Sequence, residues 1–265
     1  MLTVHLGAHA GTLAVFCKVP SFTMTILGLL ETDTLYDDLL ADYGSYGQMF
    51  ARFFNDLGGE LEYRYYQVQQ GQLPLATDEC DAYLITGSKA GVYDPLPWIP
   101  PLQTWIADFH QQGARLIGVC FGHQIIAHSL GGHAGRSDKG WGVGVHSTTV
   151  FTTHLSSATT DNAMTSRPSQ VSLLYSHQDQ VETLPHGAQL LASSDFCQNA
   201  AFKIDNRVLS VQGHPEFTPL YLQRLLKRRR AVIGEARYAA ATASLDQATD
   251  EQRVGRCLID FIRNG

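Results

Sequence analysis

The sequence predicts an α/β fold: a mostly parallel central sheet with flanking crossover helices, followed by a β-rich second half. Three observations predict it. Between residues 25 and 132, short apolar runs of strand length alternate with longer stretches of helical period, the pattern of strand-helix-strand crossovers. From residue 133 to 211 the texture changes to short segments rich in Thr, Ser and Val. The 265 residues are 44% apolar, 10% aromatic and 17% charged, enough for a sizeable core without metals or cross-links and too apolar for a disordered chain.

Residues 1–23 carry an apolar run around Leu13–Phe16, but Lys18 lies behind it, so the basic start of a secretory signal is missing. Met24 directly precedes Thr25-Ile26-Leu27-Gly28-Leu29-Leu30, which reads as a buried first strand. Residues 1–23 are therefore expected to be an extension outside the fold, with Met24 as the working start and 24–265 as one domain. His5 and His9 stand four apart there without further ligands, which does not make a metal site.

A first helix is expected over Tyr46 to Leu57, with Met49, Phe50, Phe53, Phe54 and Leu57 on one face and Gly58-Gly59 as its stop. Strands follow at Leu61 to Tyr66 and Ala82 to Thr86, then a helix from Trp98 to Gln112 stopped by Gly113. Leu116-Ile117-Gly118-Val119 is a strand that runs directly into Cys120, and Gly122 to Leu130 reads as helix. The second half contributes β-like segments at Gly142–Thr152, Val171–Tyr175, Gln189–Ser193, Ala200–Ile204 and Arg207–Val211. The chain closes with helices from Pro219 to Val232 and from Asp250 to Arg263; Val254, Cys257, Leu258, Phe261 and Ile262 make one stripe of the latter. Lys227-Arg228-Arg229-Arg230 reads as a solvated helix face, and Trp98 and Trp105 as packing residues or a cover for a site entrance.

The net charge of −6 gives no reason to expect nucleic acid or an anionic membrane as partner, and no apolar run approaches the roughly 20 residues of a membrane span. Five scattered cysteines, Cys17, Cys80, Cys120, Cys197 and Cys257, contain no C-x-x-C pair and are odd in number, which favours a reducing, cytoplasmic compartment. In that setting a cysteine is either a small core hydrophobe or a reactive thiol.

Gly118-Val119-Cys120-Phe121-Gly122-His123-Gln124 decides which. A strand ending on a nucleophile with glycines two residues to each side is the nucleophile-elbow pattern, because the sharp strand-to-helix turn leaves no room for side chains at those neighbours. A thiol at a helix N-terminus also has its anion favoured by the helix dipole and free amides. The base is found in Gly213-His214-Pro215-Glu216, after a strand: His214 is positioned to face the sulfur while Glu216 accepts from its other ring nitrogen and fixes the tautomer. His123, His128 and His133, spaced by five, do not stack on one helix face and read as helix and loop positions rather than metal ligands.

Together these segments resemble the class I, or triad, glutamine amidotransferases. The resemblance is supported by Ile85-Thr86-Gly87-Ser88 and by Ser176-His177-Gln178-Asp179-Gln180-Val181, which is similar to its counterpart in the glutaminase domain of GMP synthase, and it covers about residues 25–230. It implies a doubly wound, flavodoxin-like α/β fold with its site at the carboxyl ends of the strands. It implies further that Cys120 attacks the side-chain amide carbon of glutamine to form a γ-glutamyl thioester, that His214 protonates the departing ammonia and then activates water, and that Glu216 holds His214. Backbone amides of Phe121 and of the Gly87-Ser88 turn would bind the oxyanion. Gln124 and Ser176, His177, Gln178 and Asp179 match positions that hold the amino-acid end of the substrate. The half-reaction requires no metal or organic cofactor.

One departure stands out: Gly87-Ser88-Lys89 occupies the place of Gly-Gly-Pro, so the Ser88 and Lys89 side chains are expected to reshape the pocket around the γ-carbonyl. With about fifty residues after Glu216 and no fused synthetase, released ammonia is expected to go to water or to a separate synthetase chain. Three alternatives stay open. A γ-glutamyl peptidase forms the same thioester with a larger amine leaving, and plant enzymes of this kind look similar around the elbow and Lys139-Gly140. A non-catalytic regulatory protein on the same fold is opposed by the intact Cys120, His214 and Glu216. An α/β-hydrolase with a cysteine nucleophile is opposed by Glu216 following His214 in the chain. His177 with Asp179 is read as structural or substrate-positioning rather than as a second acid/base pair.

Overall fold

The computed structural model describes residues 24–151 and 169–264. The expectations placed on residues 1–23, with His5, His9 and Cys17, lie outside the described residues.

The elements run β1 (Thr25–Glu31), α1 (Asp37–Tyr43), α2 (Tyr46–Asp56), β2 (Leu61–Gln67), β3 (Ala82–Ile85), α3 (Ile99–Gln111), β4 (Leu116–Val119), α4 (Phe121–Ser129), β5 (His133–Arg136), β6 (Gly142–Val150), β7 (Ser169–His177), β8 (Asp179–Thr183), β9 (Gln189–Ser193), β10 (Ala201–Ile204), β11 (Val208–Val211), α5 (Pro219–Ile233), α6 (Glu235–Ser244) and α7 (Glu251–Asn264). Nine strands form one sheet in the order β2-β1-β3-β4-β11-β10-β9-β6-β7. The pairings from β2 to β11 are parallel, and those from β11 to β7 antiparallel. β5 and β8 make a separate antiparallel ribbon.

The parallel strands are continuous apolar runs because both of their faces are covered. Every residue of β3 and β4 is buried. On one face Tyr83, Ile85 and Leu116 pack against Ile99, Leu102 and Ile106 of α3 and Ile125 of α4. On the other, Leu84, Ile117 and Val119 meet Phe50 and Phe54 of α2 and Leu258 and Ile262 of α7. Each such side chain contributes on the order of 1.5–3 kcal/mol by leaving water.

Local signals set the helix ends. Ser45 and Gln48 form a reciprocal capping box that starts α2, and Thr218 caps α5 with Pro219 in its first position. Trp98 is the residue before α3; it packs on Phe121, while Trp105 stacks near Tyr83 and Phe109 and donates to the Pro74 carbonyl, so both tryptophans are core residues.

Apart from the β5–β8 ribbon, the β-rich half extends the parallel sheet. β11 returns alongside β4 in parallel, and its hairpin with β10 continues the same ladder outward through β9, β6 and β7. Two short helices, α1 and α6, and the strands β5 and β8 were not foreseen. No helix among the described residues is long and apolar enough to cross a membrane.

Candidate active site

The carboxyl ends of β1, β3, β4 and β11 converge on one rim of the sheet, and four short segments leave them: Thr32-Asp33, Thr86 to Lys89, Cys120 and Gln212 to Glu216. This is where ligands bind on open parallel sheets.

Cys120 caps α4 with φ 55° and ψ −103°, a left-handed conformation that a side chain adopts only under constraint. The constraint is close packing of backbone. A Cβ on Gly118 would stand 2.5 Å from the Gly122 carbonyl oxygen, and one on Gly122 would stand 2.1 Å from that of Ile85. The Gly-x-Cys-x-Gly frame is therefore required by three segments meeting at the turn. Behind it, His123 is fully buried between the Ser210 hydroxyl at 2.6 Å and the Asn199 carbonyl at 2.9 Å, to which its Nε2–H donates. Burial pushes its pKa down to about 3, so the ring stays neutral and ties α4 to β11.

That tie bears on the site because β11 leads into His214, the candidate base. The His214 amide donates to the Leu174 carbonyl of β7 at 2.8 Å, and the Phe217 ring stacks on the imidazole at 3.8 Å and 8°. Nδ1–H of His214 donates to Glu216 Oε1 at 2.8 Å, both side chains being almost wholly buried. Burial alone would depress the His214 pKa; the Glu216 carboxylate and Cys120 outweigh it and raise it above the ordinary range. A protonated His214 beside Cys120 is the partner a thiolate needs. Gly87 lies against both: a Cβ there would meet His214 Cε1 at 3.0 Å and Cys120 Cβ at 3.7 Å. The sequence-selected Cys120, His214 and Glu216 are brought together, each only 3–5% exposed.

The Thr86 to Lys89 loop is fixed from β1. The Thr32 hydroxyl lies 3.1 and 3.0 Å from the carbonyls of Thr86 and Gly87, and the Ser88 hydroxyl donates to the Thr32 carbonyl at 3.1 Å. Asp33 accepts from the Lys89 amide at 2.7 Å and pairs with its ammonium at 2.8 Å. Ser88 and Lys89 both line the cavity, and their side chains hold the loop to Thr32 and Asp33. Neither the Phe121 nor the Ser88 amide has an acceptor among the described residues, so both remain free to bind an oxyanion.

A cavity of about 400 Å³ opens from Cys120 and is walled on the far side by Ser176, His177, Gln178 and Asp179 at the end of β7 and the start of β8. Gln124 donates its amide to the Asp179 carbonyl at 2.8 Å and to Gln212 Oε1 at 3.1 Å, which leaves its own carbonyl oxygen to accept from a ligand. His177 donates from Nδ1 to the main-chain carbonyl of Asp179 at 2.9 Å, and burial lowers its pKa to about 3. It is a neutral wall residue and does not engage the Asp179 carboxylate. Burial raises the Asp179 pKa against the opposing pull of the Tyr93 hydroxyl and Arg136. Gln178 Oε1 accepts from Arg136 at 2.8 Å. Among the described residues no group of three or more His, Cys, Asp and Glu side chains is placed to hold a metal ion.

Thr32, Asp33 and Arg229 are among the residues of the site that escaped sequence reasoning. Thr32 and Asp33 lie in an acidic-looking turn whose contacts are more than fifty positions away, and only the end of a strand marked them. Arg229 is a correction to the solvated face expected for 227–230. Arg228 pairs with Asp38 and Arg230 with Glu235, but Arg229 points inward, lines the cavity and donates to Ser176 Oγ at 3.1 Å.

The Glutamine amidotransferase class-I family model matches residues 39–229. Gamma-glutamyl peptidase 3 of Arabidopsis thaliana is 32% identical over 190 residues, 70% of this chain and 74% of that protein. The glutamine-hydrolyzing GMP synthase of Thermomicrobium roseum is 28% identical over 224 residues, 82% of this chain and 39% of the synthase. The crystal structure of a glutamine amidotransferase from Thermotoga maritima superposes with a TM-score of 0.67 at 15% identity, covering 91% of this chain and 97% of that one.

Proposed function

The chain belongs to the class-I glutamine amidotransferase family, and we propose that its reaction is hydrolysis of a γ-glutamyl amide through a thioester on Cys120. The observation that carries the reading is the meeting of the buried His214–Glu216 pair with a constrained, left-handed Cys120, which lines both the cavity and the small recess that it shares with His214.

In this reading the Cys120 thiolate attacks the γ-carbonyl carbon, and the developing oxyanion takes hydrogen bonds from the Phe121 and Ser88 amides. His214 gives its proton to the departing nitrogen as the carbon–nitrogen bond breaks, leaving the thioester. Water then adds as His214 accepts its proton; the carbon–sulfur bond breaks and the thiolate and protonated His214 are restored. Glu216 keeps the imidazole in the required tautomer throughout. Gln124 and the Ser176 to Asp179 wall hold the amino-acid end.

Glutamine, with ammonia leaving to water or to a separate synthetase chain, is the smallest substrate this machinery serves. The cavity favours a larger one: about 400 Å³ lies within the range of pockets that enclose drug-sized ligands. A γ-glutamyl peptide or conjugate, with an amine in place of ammonia, is therefore the second reading, favoured by that volume.

The test compares ammonia release from glutamine with amine release from γ-glutamyl dipeptides, alongside labelling by a glutamine-mimicking electrophile. Cys120→Ala is expected to abolish turnover and labelling together. Activity retained without the thiol overturns the mechanism, and a clear preference for the dipeptides ends the ammonia-donor reading.

A further inference from the structure

Among the described residues, three cationic side chains line the cavity: Lys89, Arg136 and Arg229. They differ in what they already hold. Lys89 is neutralised by Asp33 and donates also to the Thr34 carbonyl. Arg136 stands exposed at the rim, bonded to Gln178 and acting on the Asp179 carboxylate. Arg229 is half-buried on α5. It has no carboxylate within salt-bridge distance among the described residues, and its one hydrogen bond goes to a neutral hydroxyl, Ser176 Oγ.

Its surroundings fix its direction. The guanidinium lies 5.7 Å over the Trp141 ring, which supports its plane, and Arg229 lines both the large cavity and the small recess shared by Cys120, His214 and Gly87. A guanidinium carries five N–H donors in a planar fork that matches a carboxylate in a bidentate pair. A partly desolvated arginine with most of that fork unspent, beside the nucleophile, is arranged for an anion that arrives with the substrate. A chain of net charge −6 that keeps such a group unpaired at a cavity is not using it for general surface balance.

We propose that Arg229 binds a carboxylate of the γ-glutamyl substrate and so sets substrate specificity. The proposal rests on the reaction proposed above. Two carboxylates are available to it: the α-carboxylate of the γ-glutamyl group, or the terminal carboxylate of an amino-acid leaving group. Either is the same chemistry for the guanidinium, and the experiment separates them.

The rates of the full chain, Arg229→Lys and Arg229→Gln are measured on glutamine, glutamine α-carboxamide, γ-glutamylglycine and γ-glutamylglycinamide. Arg229→Gln is expected to raise KM about 10- to 100-fold, with kcat little changed, on substrates that carry the recognised carboxylate. Its amidated counterpart, already poor for the parent, loses nothing further, and Arg229→Lys restores part of the effect. Loss that tracks the α-carboxylate assigns the γ-glutamyl end; loss that tracks the glycine carboxylate assigns the leaving group. An equal loss on acid and amide forms would mean that Arg229 only props Ser176, and that outcome, or no loss at all, overturns the proposal. Calorimetric titration of L-glutamate into Cys120→Ala, with and without Arg229→Gln, gives a readout independent of turnover. If the parent chain releases neither ammonia nor amine, the proposed reaction fails; repeating the titration with γ-glutamylglycine then decides the carboxylate site, since binding of either compound weakened tenfold or more by Arg229→Gln upholds it and unchanged binding of both overturns it.

Discussion

The two walls of the cavity are built from different material. At the nucleophile, Gly118, Gly122 and Ile85 bring backbone against backbone with no space for a methyl group, and Thr32 and Asp33 fasten the neighbouring loop. Across the cavity, on the antiparallel half, Ser176, Gln178 and Asp179 present side chains that meet other side chains: Arg229, Arg136 and Tyr93. The histidines follow the same division. His214 is paired and raised, whereas His177 is buried, neutral and lowered. Groups that move protons and bind the oxyanion must hold position to a fraction of an ångström, which close-packed backbone provides. Groups that choose the substrate need only be exchangeable, which side chains on a β-wall allow.

Glu216→Gln should have the largest effect, because it keeps the shape and removes the charge that orients His214 and stabilises its protonated form. It is expected to lower kcat by about 10²- to 10⁴-fold, read by steady-state kinetics. A pH-stability profile checks the cause. Since the folded His214 titrates above its unfolded value of about 6.5, the stabilisation by Glu216 is fully present below that pH and is lost as the pH rises through the raised value. The stability gap between parent and Glu216→Gln should therefore close on going alkaline; a gap constant across that range breaks the assignment.

Gly122→Ala comes next. A Cβ 2.1 Å from the Ile85 carbonyl oxygen forces β3 and α4 apart, for an expected cost of at least about 3 kcal/mol, measured by denaturant unfolding. A variant of parental stability would mean that the elbow has slack, and the contrast between the walls would fall.

The smallest effect belongs to the far wall. Gln178→Ala removes one bond to the exposed Arg136 and should change stability by no more than about 0.5 kcal/mol and leave kcat unchanged. A drop in kcat as large as that of Glu216→Gln would show that the wall takes part in the chemistry.

These differences also explain what was legible in advance. The elbow could be read because its requirement is local: two glycines and a cysteine within five residues, after an apolar run. The parallel strands could be read because burial on both faces leaves no polar residue in β3 or β4. Thr32 and Asp33 were not legible, since their partners lie in a loop brought near only by the pairing of β1 with β3. Arg229 was hidden among four consecutive cations, where periodicity cannot say which one faces inward until the position of α5 is known. The strands β5 and β8 escaped because four or five residues of mixed polarity, paired only with each other, leave little pattern.

The adjacency of β4 and β11 sets an order of events in time. Val208 to Val211 pair with Leu116 to Val119, yet the whole antiparallel half lies between them along the chain. Closing so long a loop is entropically costly and slow. The thiol and its glycine frame therefore belong to the portion of the chain synthesised early, while the His214 imidazole docks beside it only when the last parallel strand is inserted. On the proposed mechanism, the nascent chain carries its nucleophile without its base until the sheet is complete.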